Sequence, residues 1–148
     1  MTPDTAPPDA SAGVVRLRVP ADSRYARVVR VAVAAYAVRL GAPPQVVEDV
    51  RLAIDEALIL VLAVLGAEDD TTHVTLVLAL DHDAATDDLT VELRTETPPT
   101  EVAAGPDALA RFHELIPAGV TVDVVEPQKG RVVLRRRATR SADRSTGT

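Results

Sequence analysis

The sequence predicts an α+β fold, a two-layer sandwich in which helices cover one face of a mixed, mainly antiparallel sheet. Three observations lead to this prediction. Strand-like alternation recurs at the start, middle and end of the chain, the later strands come in pairs joined by short turns, and helix-like segments lie between them. Because strands joined by short turns pair antiparallel and each helix must bury one side, helices packed on a sheet are the expected arrangement.

The first half of the chain is predicted to contain one strand and two helices. The stretch VVRLRV at residues 14–19 alternates with the period of a strand, and Pro20 is expected to end it. A helix should follow, capped by Asp22 or Ser23 and ended by Gly41. The proline pair PP at residues 43–44 then begins a second helix that runs to about residue 66.

The second half is predicted to form two hairpins separated by a short helix. The first hairpin turns at the acidic pair Asp87 and Asp88, and the second turns through the stretch EPQKG. The predicted segments are strands at 72–81 and 89–96, a helix at 105–116, and strands at 120–125 and 131–136.

Composition narrows the function classes. A chain of 148 residues fits one domain with a sizeable core, built mainly from aliphatic side chains because aromatics make up only 2 %. With no cysteine, the chain has no disulfide, thiolate metal site or thiol nucleophile. A net charge of -6 argues against general nucleic-acid binding.

The two ends of the chain are predicted to be disordered. Residues 1–13 hold three prolines and no apolar stretch, so they indicate a flexible lead rather than a signal peptide or anchor. Residues 14–137 form the predicted domain, and residues 138–148 a basic tail rich in Ser, Thr and Arg. The longest apolar run, residues 57–65, is about half of a membrane span. We therefore expect a soluble, cytoplasmic protein.

The second helix carries the most informative pattern. This helix carries Asp49, Asp55 and Glu56, which suggest a functional site on one face. Residues 57–65, which follow directly, have no polar side chain. Taken alone, the acidic residues are compatible with ordinary charges facing solvent.

Three stretches together resemble a known family. The stretch RYARVVRVAVAAYAVRLGAPPQVVEDVRLAIDEALILVL resembles the first two helices of bacterial anti-sigma factors of the serine kinase type. These are stress and sporulation regulators with a GHKL (histidine kinase-like, Bergerat) ATPase fold. LTVELRTETPP is similar to the strand that leads into the family's adenine-binding loop, and KGRVVLRRR is similar to its last strand. The resemblance covers about residues 14–137.

The resemblance implies a pair of functional residues on the second helix. In the family a Glu acts as general base, and an Asn four residues later, on the same helical face, holds the Mg²⁺ that bridges the ATP phosphates. Glu56 keeps the first position, but the second is Leu60. Because Mg²⁺ requires oxygen ligands, Leu60 cannot replace the amide.

The adenine loop departs from the family as well. The resemblance places Thr95 where the family has Asp, and Thr97 and Pro99 where it has glycines. Proline has a fixed φ and no amide, so the loop cannot bend as the family's does. The family's glycine-rich phosphate lid is also missing, since residues 102–115 contain only Gly105. We therefore expect no ATP, no bound metal and no kinase activity, with Glu56 a vestige of the general base.

A degenerate member of this family, a pseudokinase, would function through protein–protein interaction. Arg24, Arg27 and Arg30 are three residues apart and form a basic stripe on the first helix. By resemblance, Arg27 contacts both the sigma factor and its antagonist. The expected function is transcription regulation in a stress response by sequestering a sigma factor. An anti-anti-sigma antagonist of the STAS type would release the sigma factor. The protein itself is expected to form a homodimer and to make no direct contact with nucleic acid or membrane.

Other interpretations of the sequence remain open. A divergent serine/threonine protein kinase could still bind ATP with Mg²⁺ and phosphorylate an anti-anti-sigma factor. The third hypothesis is a small α+β interaction or ligand module unrelated to sigma control. The basic stripe could be a plain solvated surface. Asp81, His82 and Asp83 have metal-ligand chemistry, but their position at a hairpin turn favours exposed loop charges. No hydrolase or phosphate-loop motif is present.

Overall fold

The architecture is known from a computed structural model that describes residues 12–65, 69–96 and 105–137. The elements in chain order are β1 (Ala12–Ala21), α1 (Ala26–Arg39), α2 (Pro44–Leu65), β2 (Asp69–His82), β3 (Leu89–Thr95), α3 (Pro106–Leu115), β4 (Val120–Glu126) and β5 (Arg131–Arg136). Short 3₁₀ turns lie at Ser23–Tyr25 and Pro127–Lys129. The predicted α+β two-layer sandwich is confirmed.

The five strands form one sheet in the order β1-β2-β3-β5-β4. Each neighbouring pair of these described strands is antiparallel, so this sheet is more uniform than the mixed sheet that the sequence predicted. At one end of the sheet, the order of the strands differs from their order in the chain. There β5 lies between β3 and β4, and β4 is the edge strand. The predicted disordered ends were residues 1–13 and 138–148. Residues 1–11 and 138–148 lie outside the described residues, whereas Ala12 and Gly13 belong to β1.

The core lies between the helices and one face of the sheet. Along β2 the residues Leu76, Leu78 and Leu80 alternate inward, as the period of a strand requires. Residues from the helices close this layer, and all of those named next are fully or almost fully buried. They are Val29, Val33 and Ala37 of α1, and Val50, Ile54, Leu58 and Val61 of α2.

Local signals in the sequence account for the helix ends. The Asp22 carboxylate accepts a hydrogen bond from the backbone N–H of Arg24 at 2.8 Å, which caps the turn leading into α1. Gly41 has a φ of 91°, a left-handed conformation that ends α1 and that side chains disfavour. Pro44 is the first residue of α2, where its missing N–H costs nothing.

The predicted end of the first strand is wrong. Pro20 remains within β1, where it pairs with His73, and the strand continues to Ala21. A proline is tolerated here because β1 is at the edge of the sheet that the described residues form, so the side of Pro20 that lacks an N–H can face away from β2. The register shifts at the next residue, between Pro20 and Ala21.

The other face of the sheet carries a network of ion pairs. Arg16 pairs with Glu96 at 2.9 Å, and Arg131 pairs with Glu92 at 3.2 Å. Since these side chains are partly exposed, each pair contributes little to stability. Separately, none of the helices within the described ranges is long and apolar enough to cross a bilayer.

Candidate functional site

A groove opens between α2 and α3, with a volume of about 460 Å³. We call it the α2–α3 groove. Residues one helical turn apart point to the same side of a helix, and this spacing brings two short sets of side chains face to face. The groove is lined by Glu56, Ile59, Leu60 and Ala63 from α2 and by Asp107, Ala108, Arg111 and Phe112 from α3.

Most of this lining is apolar. Leu60 and Phe112 are both buried, whereas Ile59 is 44 % exposed at the groove. The polar groups are the carboxylates of Glu56 and Asp107 and the guanidinium of Arg111. The groove therefore combines an apolar wall with two acidic groups and one basic group.

Glu56 has the most perturbed environment of the groove side chains. It is half-buried, and burial raises the pKa of its carboxyl above the usual 4.5, with the negative charge of Asp55 adding to the rise. The guanidinium of Arg111 acts in the opposite direction and lowers this pKa. A cation close to Glu56 would favour its ionised form further.

Asp49, Asp55 and Glu56 of α2 do not form one site, which corrects the interpretation from sequence. Asp49 points toward β5, where its Oδ2 lies 2.7 Å from Nε of Arg136. Asp55 points toward α1, with its Oδ2 3.4 Å from Nη1 of Arg30. Among the three, only Glu56 lines the groove. Asp55 points about 100° away from it around the helix axis, and Asp49, on nearly the same side, lies about two turns earlier along the helix.

Leu60 lies on the wall of the groove, one helical turn after Glu56. Its side chain has no atom that could coordinate a metal ion. Within residues 12–65, 69–96 and 105–137, no three His, Asp or Glu side chains are grouped closely enough to hold a metal.

Thr95 lies at the end of β3 and is buried. Its N–H donates to the carbonyl of Gly130 at 2.8 Å, while its buried Oγ1 has no hydrogen-bond partner among the residues that the structure describes. Gly130 is required at this contact, since a Cβ there would lie 2.0 Å from that Oγ1. Thr95 is not part of the groove lining, and Thr97 and Pro99 lie outside the described residues.

The three arginines of the predicted basic stripe have different environments. Arg24 donates from Nε and Nη2 to the Asp22 carboxylate at 2.9 and 2.7 Å. Arg30 is half-buried and pairs with Asp55, which joins α1 to α2. Arg27 is exposed, and it forms no hydrogen bond or ion pair with any of the described residues. Of the three, Arg27 has the guanidinium most available to a partner.

Beside Arg27, α1 presents an apolar surface to solvent. Val28, Val31 and Val38 are 49 %, 57 % and 62 % exposed, and Ala35 between them is exposed too. These four positions follow the spacing three, four, three, so they form one line along the helix. We call this line the α1 stripe. The sequence analysis did not identify this stripe, although the spacing of these residues could have revealed it.

His82 corrects another interpretation from sequence. It is not an exposed loop charge, since only 4 % of its surface is accessible. Strand β2 extends through His82, and alternation turns its side chain inward like Leu80. Its Nδ1 lies 3.0 Å from the carbonyl oxygen of Leu40, and its Nε2 lies 3.1 Å from Oδ1 of Asp87. The ring therefore has a structural role, joining the end of α1 to the β2–β3 turn.

The sequence analysis did not predict this groove, although it named two of its eight lining residues. Glu56 and Leu60 were singled out, but Asp107, Arg111 and Phe112 on α3 were not. The available signal was the amphipathic pattern of α3, in which positions 108, 111 and 112 share a side. No protein-family model matches this chain, and no curated protein matches it either.

Proposed function

We propose that this protein is an anti-sigma factor-like regulator of transcription that sequesters a sigma factor in the cytoplasm by binding alone. The observation that carries the proposal is the outer surface of α1, where Arg27 stands without a partner among the described residues next to the α1 stripe. The resemblance assigns partner contact to the same residue.

The α1 stripe has the chemistry of a helix-binding surface. Single exposed valines are common on proteins, but four apolar residues in one line form the seam by which one helix packs against another. Arg27 lies one residue before the first valine of this seam. A free guanidinium there favours a partner that carries a carboxylate beside its apolar face.

A protein that acts by sequestering its partner needs no catalytic activity. Phosphoryl transfer depends on a metal and on precise placement of the phosphates. Leu60 brings no metal ligand to the groove, and two carboxylates line it where phosphates would need positive charge. In this proposal Glu56 is a vestige, and the protein blocks the sigma factor from RNA polymerase by occupying its surface.

Other parts of the proposal follow from the same resemblance. Release occurs through competition by a STAS-type anti-anti-sigma factor, and the protein functions as a homodimer. The net charge of -6 is consistent with a protein partner rather than direct nucleic-acid contact. A stress signal would act through the antagonist.

The proposal is tested by capture of the partner. The tagged full chain is used to pull down proteins from its source cells, and the expected partner is a sigma factor whose transcription in vitro falls when the protein is added. We expect Arg27→Glu to weaken this capture about 100-fold, because placing like charges together costs several kcal/mol.

Arg18→Glu is the matched control. Arg18 is also exposed, but it lies on β1 rather than on the α1 surface, so we expect this variant to capture the partner normally. Thermal unfolding should show both variants as stable as the natural chain. Equal capture by the Arg27→Glu variant would remove α1 from the interface, and a captured protein that does not affect transcription would overturn the proposed function.

A further inference from the structure

The α2–α3 groove has properties that the proposed function does not use. Its volume of about 460 Å³ lies within the range of small-molecule pockets, roughly 300 to 1,000 Å³. Such sites are mostly apolar, with a few polar groups that orient the ligand. The groove has this composition.

The apolar part of the groove can hold a hydrocarbon body. Leu60 and Phe112 are almost fully buried beside the groove, and Ile59 is partly exposed there. Covering Ile59 and the neighbouring alanines would remove apolar surface from water, which favours binding. An aromatic or aliphatic group is the natural occupant of this wall.

The charged part of the groove favours a cation. Glu56 and Asp107 place two carboxylates at the lining, against one guanidinium from Arg111. Burial raises the pKa of Glu56, which means that its negative charge lacks enough stabilising groups nearby. A positively charged ligand would supply such a stabilising group, whereas a phosphate or carboxylate ligand would meet two like charges.

We propose that the α2–α3 groove binds a small amphipathic cation, whose charged nitrogen pairs with Glu56 and whose apolar body packs on Ile59 and the neighbouring alanines, Ala63 and Ala108. The ligand class is an aliphatic or aromatic amine. This site is separate from the α1 surface, so its test is independent of partner capture.

A matched series of probes tests the charge and the apolar body separately. Hexylamine, hexanol and hexanoate share one chain length and differ only in the head group. We titrate each into the purified full chain near pH 7 and follow backbone and methyl signals by NMR. Hexylamine should bind about tenfold or more tightly than hexanol, because a hydrogen bond to a charged group is worth more than a neutral one, and hexanoate should bind most weakly.

Two variants locate the site. Glu56→Gln should abolish the preference for hexylamine over hexanol while leaving hexanol binding unchanged. Glu114→Gln is the control, since Glu114 is an exposed acid on α3 outside the groove lining. Ala108→Trp should block all three probes by filling the groove, and Ala108 is exposed, so this change does not disturb the core.

The result that supports the proposal is an amine preference that disappears in Glu56→Gln and persists in Glu114→Gln. The proposal is overturned if no probe binds, if hexanoate binds as tightly as hexylamine, or if Glu56→Gln retains the preference. Binding that survives Ala108→Trp would also overturn it, because the ligand would then lie elsewhere.

Discussion

Arg136 of β5 and Asp49 of α2 form an ion pair that joins the last strand to the second helix. Nε of Arg136 lies 2.7 Å from Oδ2 of Asp49, and the side chains are only 6 % and 15 % exposed. Arg136 also donates from Nη1 to the carbonyl of Arg137. Gly119 makes room for the guanidinium, since a Cβ at that position would lie 2.7 Å from its Cζ.

Breaking this pair should destabilise the fold. Asp49→Ala leaves the Arg136 guanidinium buried without its carboxylate, and we expect the free energy of unfolding to fall by about 3 kcal/mol. Urea denaturation at 25 °C measures the change. Glu48→Ala is the control, because Glu48 pairs with Arg51 at the surface, and we expect a much smaller loss than for Asp49→Ala. Equal losses would show that the buried pair has no special role.

His82 should be nearly as important as the ion pair. Both of its ring nitrogens face acceptors, so replacing it with leucine leaves the Leu40 carbonyl and the Asp87 carboxylate without this partner. We expect His82→Leu to lower the free energy of unfolding by about 2 kcal/mol. His113 is exposed on α3, and His113→Gln should change stability by at most about 0.5 kcal/mol. Denaturation of the two variants side by side measures both changes in the free energy of unfolding and tests this difference.

Glu56 should make stability depend on pH. Its pKa is raised in the folded protein, so the native state holds this proton more tightly than the unfolded chain does. The resulting stabilisation is complete below the ordinary pKa of 4.5 and is lost as the pH rises through the higher folded value. The natural chain should therefore lose stability as the pH rises from about 4.5, and the Glu56→Gln variant should not show this loss. Identical pH profiles of the two proteins would contradict the raised pKa.

Nucleotide should not stabilise the protein. A ligand at 100 times its Kd that binds only the native state adds about 2.7 kcal/mol, which would raise the thermal midpoint by several degrees. Because Leu60 cannot coordinate Mg²⁺, we expect 1 mM ATP with excess Mg²⁺ to leave the midpoint unchanged. A clear rise would favour the alternative, a divergent kinase that still binds ATP.

Local signals in the sequence predicted most element positions. The predicted strand at 89–96 and helix at 105–116 agree within about one residue with β3 and α3. Such agreement is expected because the periods of strand and helix are properties of the backbone itself. Pro20 was placed wrongly, since its effect depends on whether its strand lies at an edge, and edge position is a property of the whole sheet.

The candidate site was less predictable than the fold. Glu56 and Leu60 were singled out through the resemblance, which pairs a Glu with an Asn four residues later on the second helix. Asp107 and Arg111 come from α3, about fifty residues later in the chain, and no local pattern pairs them with α2. The direction of each acidic side chain on α2 likewise depended on which neighbour, strand or helix, lay beside it.

Composition and local pattern were enough to establish the aliphatic strands and helices, the lack of cysteine, and a leucine at position 60 where the resemblance expects a metal ligand. They could not show that Asp49 lies against Arg136, that His82 lies in the core, or that Glu56 faces α3 across a groove. The reason is that backbone geometry sets local periodicity, whereas the partner of each side chain is set by packing between segments distant in the chain.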